Sequence, residues 1–259
     1  MKRSFCRTLM ASICSAGLAT VSQNAAANQA PVAADVIVVI DESGSMSGEQ
    51  RWIGEMIPLL DENLQQYGIG SESQANLYGL VGYGNRSVVP RTLEVEGEKL
   101  GSVEGFQAAS NRLITSGGTE DGWRAIDYAL NQFPRRNGAA LNIILATDED
   151  RDNTNSNITY VSVLSLLNEN RALLNAVVNA RIRCGDGRSA LGVDSLGTGY
   201  VKDGNGGFTR CEGAHAISGS GRTVDHYVDL AMENGGAAWD LSFLRSGGKN
   251  AESFTKALL

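Results

Sequence analysis

Asp41, Ser43 and Ser45 are three oxygen-bearing side chains spaced two residues apart, placed directly after the apolar run Val36 to Ile40. Gly44, between the two serines, lets that segment curl around a point. A second acid, Asp148, follows another apolar run, "LNIILAT" at 141–147, and a third hydroxyl, Thr119, follows Gly117 and Gly118. Three hydroxyls and two carboxylates, without sulfur or imidazole, are hard donors. They suit Mg²⁺, Mn²⁺ or Ca²⁺ and poorly suit zinc or copper. Two carboxylates at close range repel unless a cation or a shared proton lies between them. Neutral hydroxyls leave such an ion underneutralised, so it keeps an affinity for one more anionic oxygen, and that is a means of binding.

These residues must be carried to one place by the elements around them. "ADVIVVI" (34–40) and "LNIILAT" read as strands buried on both faces. "ANLYGLVGYG" (75–84) is a further strand, and "SVVPRTLEVEG" (87–97) pairs with it as a hairpin, at an edge because of Pro90. "GEQRWIGEMIPLLDENLQQYG" (48–68) has helical spacing of Trp52, Ile53, Met56, Ile57, Leu60 and Leu64, with a kink or break expected at Pro58. Helices are expected at about 102–112, from Thr119 as N-cap to 133, at about 158–170 and at 223–236, and again in the C-terminal "NAESFTKALL". The remaining strands are "LLNAVVNARIRC" (173–184) and "AAWDLSFL" (237–244). Trp52, Trp123 and Trp239 fall on these elements and read as core. Alternation of strand and helix predicts an α/β fold: a doubly wound, Rossmann-like, mostly parallel sheet with helices on both faces. In the strand order 3-2-1-4-5-6 the first and fourth strands are neighbours. Asp41 and Asp148 then flank the switch point at the carboxyl ends, where such sheets bind ligands. Residues 185–222, rich in Gly and Ser, read as an insertion before the last helix and strand, with a hairpin in "GYVKDGNGGFTRC".

The stretch Asp41-Glu42-Ser43-Gly44-Ser45 resembles the D-x-S-x-S motif of von Willebrand factor type A domains. "SGGTEDGWRAIDYAL" resembles that family's threonine loop and following helix, "NIILATDED" its strand ending in aspartate, and "YVDLAMENGGAAWDL" its final helix and strand. The resemblance covers about residues 34–245 with the elements in order. It implies a metal-ion-dependent adhesion site in which Ser43 and Ser45 bind the ion directly. Thr119 binds directly in the ligand-engaged state, and Asp41 and Asp148 act directly or through water. The sixth position takes a carboxylate from a protein partner. A secreted, bacterial-type binding or adhesion module is thereby implied, rather than an enzyme. A metal-assisted hydrolase at the same site and a structural assembly subunit are the competing expectations.

The first residues suit export. Lys2, Arg3 and Arg7 precede the apolar, small-residue run "LMASICSAGLATV", and small residues follow it. Residues 1–27 are expected to be a signal peptide, 28–33 a leader and 34–259 the domain, with Ala30 as an alternative cleavage point. Cleavage removes three basic residues and no acid, leaving the chain three units more negative than its formal −7. Such a balance disfavours nucleic acid as a partner. No later stretch is apolar enough to cross a bilayer, so a secreted, extracellular, periplasmic or cell-surface location is expected. Cleavage also leaves two cysteines, Cys184 and Cys211, which in an exported chain point to a disulfide.

Blander readings attach to several of these residues. Asp41 to Ser45 alone is compatible with a simple strand-to-helix turn. In "DEDRDNTNSNIT" (148–159) Asp150 and Asp152 allow a second, calcium-like site, although the loop lacks an EF-hand's glycine and closing glutamate and also reads as a solvated acidic loop. His215 and His226 are far apart and form no evident triad with Ser43.

Overall fold

The structure is a computed structural model; it describes residues 32–245 and 247–258. The expected signal peptide and most of the leader lie outside the described residues. In chain order the strands begin with β1 (Ala33–Asp41), followed by helix α1 (Gln50–Gln66), β2 (Leu77–Tyr83), β3 (Arg91–Leu93), α2 (Val103–Ser110), α3 (Gly122–Gln132), β4 (Ala139–Thr147), α4 (Tyr160–Glu169) and β5 (Ala172–Val178). β6 (Ala180–Arg183) follows, and the inserted segment supplies β7 (Ser189–Ala190), β8 (Gly192–Asp194), β9 (Gly199–Lys202), β10 (Phe208–Cys211) and β11 (His215–Gly219). A π-helical turn at Val224–Val228 then leads into α5 (Asp229–Glu233), β12 (Ala237–Asp240), α6 (Leu241–Leu244) and α7 (Lys249–Ala257).

Among the described residues the main sheet has the order β10-β9-β8-β12-β5-β4-β1-β2-β3. The run β12-β5-β4-β1-β2 is parallel, and β3 closes one edge antiparallel, as expected for the Pro90 hairpin. This is the doubly wound order the alternation predicts, extended by three antiparallel strands. β1 is buried along its whole length, between β2 and β4. Its side chains alternate between two cores. Ile37 and Val39 pack with α3, α4 and α5, whereas Val36, Val38 and Ile40 pack with α1, α2 and α7. The three tryptophans are in these cores.

Several expectations are corrected by the structure. α1 runs through Pro58 without a break. A proline leaves the carbonyl four residues earlier without its helical donor; here that carbonyl, on Gly54, accepts from the Gln107 side-chain amide of α2 at 3.0 Å. The predicted strand 87–97 shrinks to β3. The predicted strand 173–184 divides at Asn179 into β5 and β6, because the buried run gives way to the alternating pattern of a one-sided strand. The last strand stops at Asp240, whose carboxylate accepts from the Ser242 N–H at 2.9 Å and thereby caps α6.

The insertion is not an excursion from the fold. β8, β9 and β10 continue the main sheet beyond β12, while β11, β6 and β7 form a second, three-stranded sheet. Cys184 and Cys211 are bonded, as expected, with Cα atoms 5.9 Å apart. The bridge does not tie the base of a hairpin. It joins the end of β6, in the small sheet, to the end of β10, in the large one.

Candidate metal centre

The carboxyl ends of β1 and β4 bring the predicted residues together. Asp41 is fully buried at the end of β1. One of its carboxylate oxygens accepts from the Ser43 N–H at 2.7 Å and the other from the Thr147 hydroxyl at 2.9 Å. The Ser43 and Ser45 hydroxyls lie 3.0 Å apart, and the Ser45 hydroxyl donates to Asp148 at 3.0 Å. Four of the five predicted residues are thus joined in one polar cluster, although Ser45 and Asp148 are 103 positions apart in the chain. Depth is graded: Asp41 and Ser43 are buried, Asp148 lies at the margin and Ser45 is exposed, so the cluster opens to solvent on one side.

The loop that carries Thr119 is held at the same edge by backbone contacts. The Ser116 N–H donates to the Glu42 carbonyl at 2.8 Å, and the Gly44 N–H meets the Gly117 carbonyl at 3.5 Å. Gly117 has φ +137°, and a Cβ there would come within 2.3 Å of the Gly84 carbonyl. This close backbone approach of two loops requires a glycine. Thr119 itself is half-buried, two residues further along. It is not the N-cap of α3, as spacing suggested. Asp121 holds that position, accepting from the Arg124 N–H at 3.2 Å.

Two acids of the cluster's surroundings were not singled out by sequence. Glu120 is buried, and its side chain and Asp41 both lie against Gly84; burial first, then the charges of Asp41, Glu149 and Asp152, push it up to about 7. Glu42, the unspecified second residue of the motif, is fully buried and holds the loops in register. It accepts from Arg91 Nε at 3.0 Å, from the Asn85 amide at 2.7 Å and from the Ile114 N–H at 3.0 Å. These donors satisfy a carboxylate that has no access to water. No local spacing signals either role, since both depend on loops that meet only in the fold.

Behind the threonine loop, Asp121 binds Arg151 at 2.6 Å, and Arg151 lies 4.4 Å from the Trp123 ring centre. The acids expected to form a second site serve different loops. Asp150 accepts from the Arg222 N–H at 3.0 Å, and Asp152 accepts from the Glu120 N–H at 3.0 Å. His226 is likewise engaged, its Nδ1 accepting from the Arg151 N–H at 3.0 Å.

The donor set fits a divalent cation. Burial pushes the Asp41 carboxyl up to about 6, with a further push from Asp148. Asp41 thus feels the charge of Asp148, and Glu120 that of Asp41, while the nearby arginines are engaged elsewhere, Arg91 by Glu42 and Arg151 by Asp121. A bound cation relieves this repulsion. Among the described residues no three His, Cys, Asp or Glu side chains converge as a ready ligand group; the remaining donors of the cluster are hydroxyls.

The fold and this edge define a class. The family model of the von Willebrand factor type A domain matches residues 35–178, more than half of the sequence, and the chain belongs to this family. An aerotolerance-related membrane protein from Bacteroides fragilis, solved with multiple mutations to serines, superposes with a TM-score of 0.50 at 16% identity over 87% of this chain and 96% of that one. The conserved hypothetical protein BatB from Bacteroides thetaiotaomicron gives 0.44 at 15% identity, covering 78% of this chain and 86% of that one. Proximal thread matrix protein 1 from the mussel byssus, with a zinc-occupied MIDAS motif, gives 0.44 at 14% identity, covering 57% of this chain. This chain spans only 36% of that mussel chain. At such identities the likeness concerns the fold alone. Among curated proteins, none matches the sequence significantly. Among the described residues no helix is long and apolar enough to cross a membrane.

Proposed function

We propose that this protein is a secreted binding module that docks an acidic side chain of a protein partner on a divalent cation, Mg²⁺ first and Mn²⁺ or Ca²⁺ in its place. Asp41, Ser43, Ser45, Thr119 and Asp148 would hold the ion. The observation that carries this reading is the Ser43–Ser45–Asp148 chain of hydroxyl and carboxylate above a buried Asp41, open to solvent at Ser45. When bound, the ion supplies a positive charge that a partner carboxylate can complete. The protein's own part is to present the donors. Thr147 and the Ser43 N–H orient Asp41, and Glu42 keeps the serine and threonine loops together. Calorimetric titration of Mg²⁺ and Mn²⁺ into wild type and Asp41→Ala tests it. Binding in the wild type and none in the variant is expected, and equal affinity in both would sink the reading.

Glu120 favours one alternative, a metal-assisted hydrolase, because it places a buried carboxyl group outside the ligand set but beside Asp41. A hydrolase screen with and without EDTA separates the two. Turnover abolished by chelation and by Glu120→Gln would establish the enzyme. Metal-dependent capture of an acidic peptide without turnover supports the binding module.

A further inference from the structure

A second feature lies on the same edge of the sheet. Asp240, at the end of β12, pairs in register with Val178 of β5, and Val178 pairs with Thr147 of β4, whose hydroxyl meets Asp41. Asp41 and Asp240 are therefore in one row, three strand spacings apart, or about 14 Å. Beside Asp240 opens a cleft of about 220 Å³, lined also by Arg181, Arg183, Ser189 and Ser242. Ala180 and Ile182 of β6 are buried, which turns Arg181 and Arg183 outward on the opposite face. Both are exposed, and among the described residues neither side chain makes a salt bridge or a hydrogen bond, although the charge of Arg181 acts on Asp240. Asp240 is buried, and its carboxylate is taken by the Ser242 hydroxyl and N–H. Two guanidinium groups thus face one buried acid, and the cleft keeps a positive balance in an otherwise acidic chain.

Unpaired arginines are uncommon tenants of a polar cleft, because the guanidinium fork is built to grip a carboxylate through two parallel hydrogen bonds. The Ser189 hydroxyl at the cleft adds a neutral donor, while that of Ser242 is engaged by Asp240. We propose that the Arg181–Arg183 cleft is a second carboxylate-binding subsite on the docking surface, so that a partner presents two acidic groups, one to the cation and one to the arginines beside Asp240, about 14 Å along the row from Asp41. This rests on the metal-docking reading above and gives it selectivity: a cation grips any carboxylate, whereas a second anchor at a set distance does not. An extended chain carries side chains four residues apart on one side and about 14 Å from each other, so an extended acidic segment matches the row.

The test uses three nine-residue Gly/Ser peptides: one with a single Glu, one with two Glu four residues apart, and one with Gln in place of both. Each is titrated in Mg²⁺ or in EDTA, followed by backbone and arginine side-chain ¹H–¹⁵N shifts, against wild type, Asp41→Ala and the double variant R181Q/R183Q. In Mg²⁺ the two-Glu peptide is expected to bind about fivefold tighter than the one-Glu peptide through its tethered second contact, to shift the Arg181 and Arg183 Nε–H signals, and to lose that gain in R181Q/R183Q. Equal affinity of the two peptides for wild type, or a gain that survives in R181Q/R183Q, overturns the subsite while leaving Mg²⁺-dependent binding intact. Binding of the two-Glu peptide that ignores EDTA and Asp41→Ala but is lost in R181Q/R183Q sustains the subsite and removes the metal reading. Absence of binding by any peptide overturns both.

Discussion

The two halves of the sheet are held together by different means. In the parallel half, β1, β2 and β4 end in loops stitched by hydrogen bonds to buried carboxylates: Glu42 draws in Asn85, Arg91 and Ile114, and Asp121 draws in Arg151 and Thr154. In the antiparallel half, β8, β9 and β10 are short, and β10 is largely exposed. That half is closed by the Cys184–Cys211 bond. The difference teaches where each kind of restraint is affordable in physical terms. Loops resting on two well-packed cores can be positioned by buried polar groups, because the surrounding low dielectric strengthens each satisfied bond. Short strands that end in a largely exposed edge, β10, have less of that environment, and a covalent link that limits the unfolded chain adds the restraint.

The comparison can be broken at its strongest point first. Glu42→Ala leaves Arg91 unpaired and the Ile114 N–H without its acceptor, and should cost about 3 kcal/mol in urea unfolding. Hydrogen exchange should quicken in residues 112–119 and leave β8 to β10 unchanged; uniform acceleration would show that the halves are not independent. Replacing both cysteines by alanine should cost about 3 kcal/mol while Mg²⁺ affinity, read by calorimetry, stays within about twofold. A larger loss of affinity would couple the insertion to the metal edge. Mg²⁺ at 100 times its Kd should stabilise the wild type by about 2.7 kcal/mol and leave Asp41→Ala unmoved, measured as a shift in the denaturation midpoint. The smallest effect belongs to Gln107→Ala, which withdraws the donor to the Gly54 carbonyl freed by Pro58. About 1 kcal/mol of stability should be lost, and Pro58→Ala in the same background should recover part of it.

Much of the fold is legible before folding. Continuous β-branched runs at 36–40 and 141–147 mark strands buried on both faces, and the alternation of strands and helices implies the central order that the structure has. The donor types at Asp41, Ser43, Ser45 and Asp148 are also legible, because D-x-S-x-S is a local pattern and Asp148 ends a recognisable strand. Legibility fails where contacts replace spacing. Thr119 looked like an N-cap because capping preferences are shared by Thr and Asp; the partners of Asp121, Arg151 and Thr154, come from another loop. Pro58 looked like a break because its rescue by Gln107 is supplied by a different helix. Residues 185–222 looked like an excursion because Gly- and Ser-rich stretches carry too little periodicity to reveal sheet pairing.

By itself, then, the sequence determined the element types, the two-faced core and the chemical kind of donor at the edge, since each of these follows from periodicity and residue type within a few positions. Only the tertiary structure decided that Ser45 meets Asp148 across 103 residues, that Glu42 and Glu120 turn inward, and that Asp240, beside the Arg181–Arg183 cleft, shares a row with Asp41. These outcomes depend on strand register and loop approach. Register arises from the cooperative packing of both cores at once, and no short window of sequence contains it.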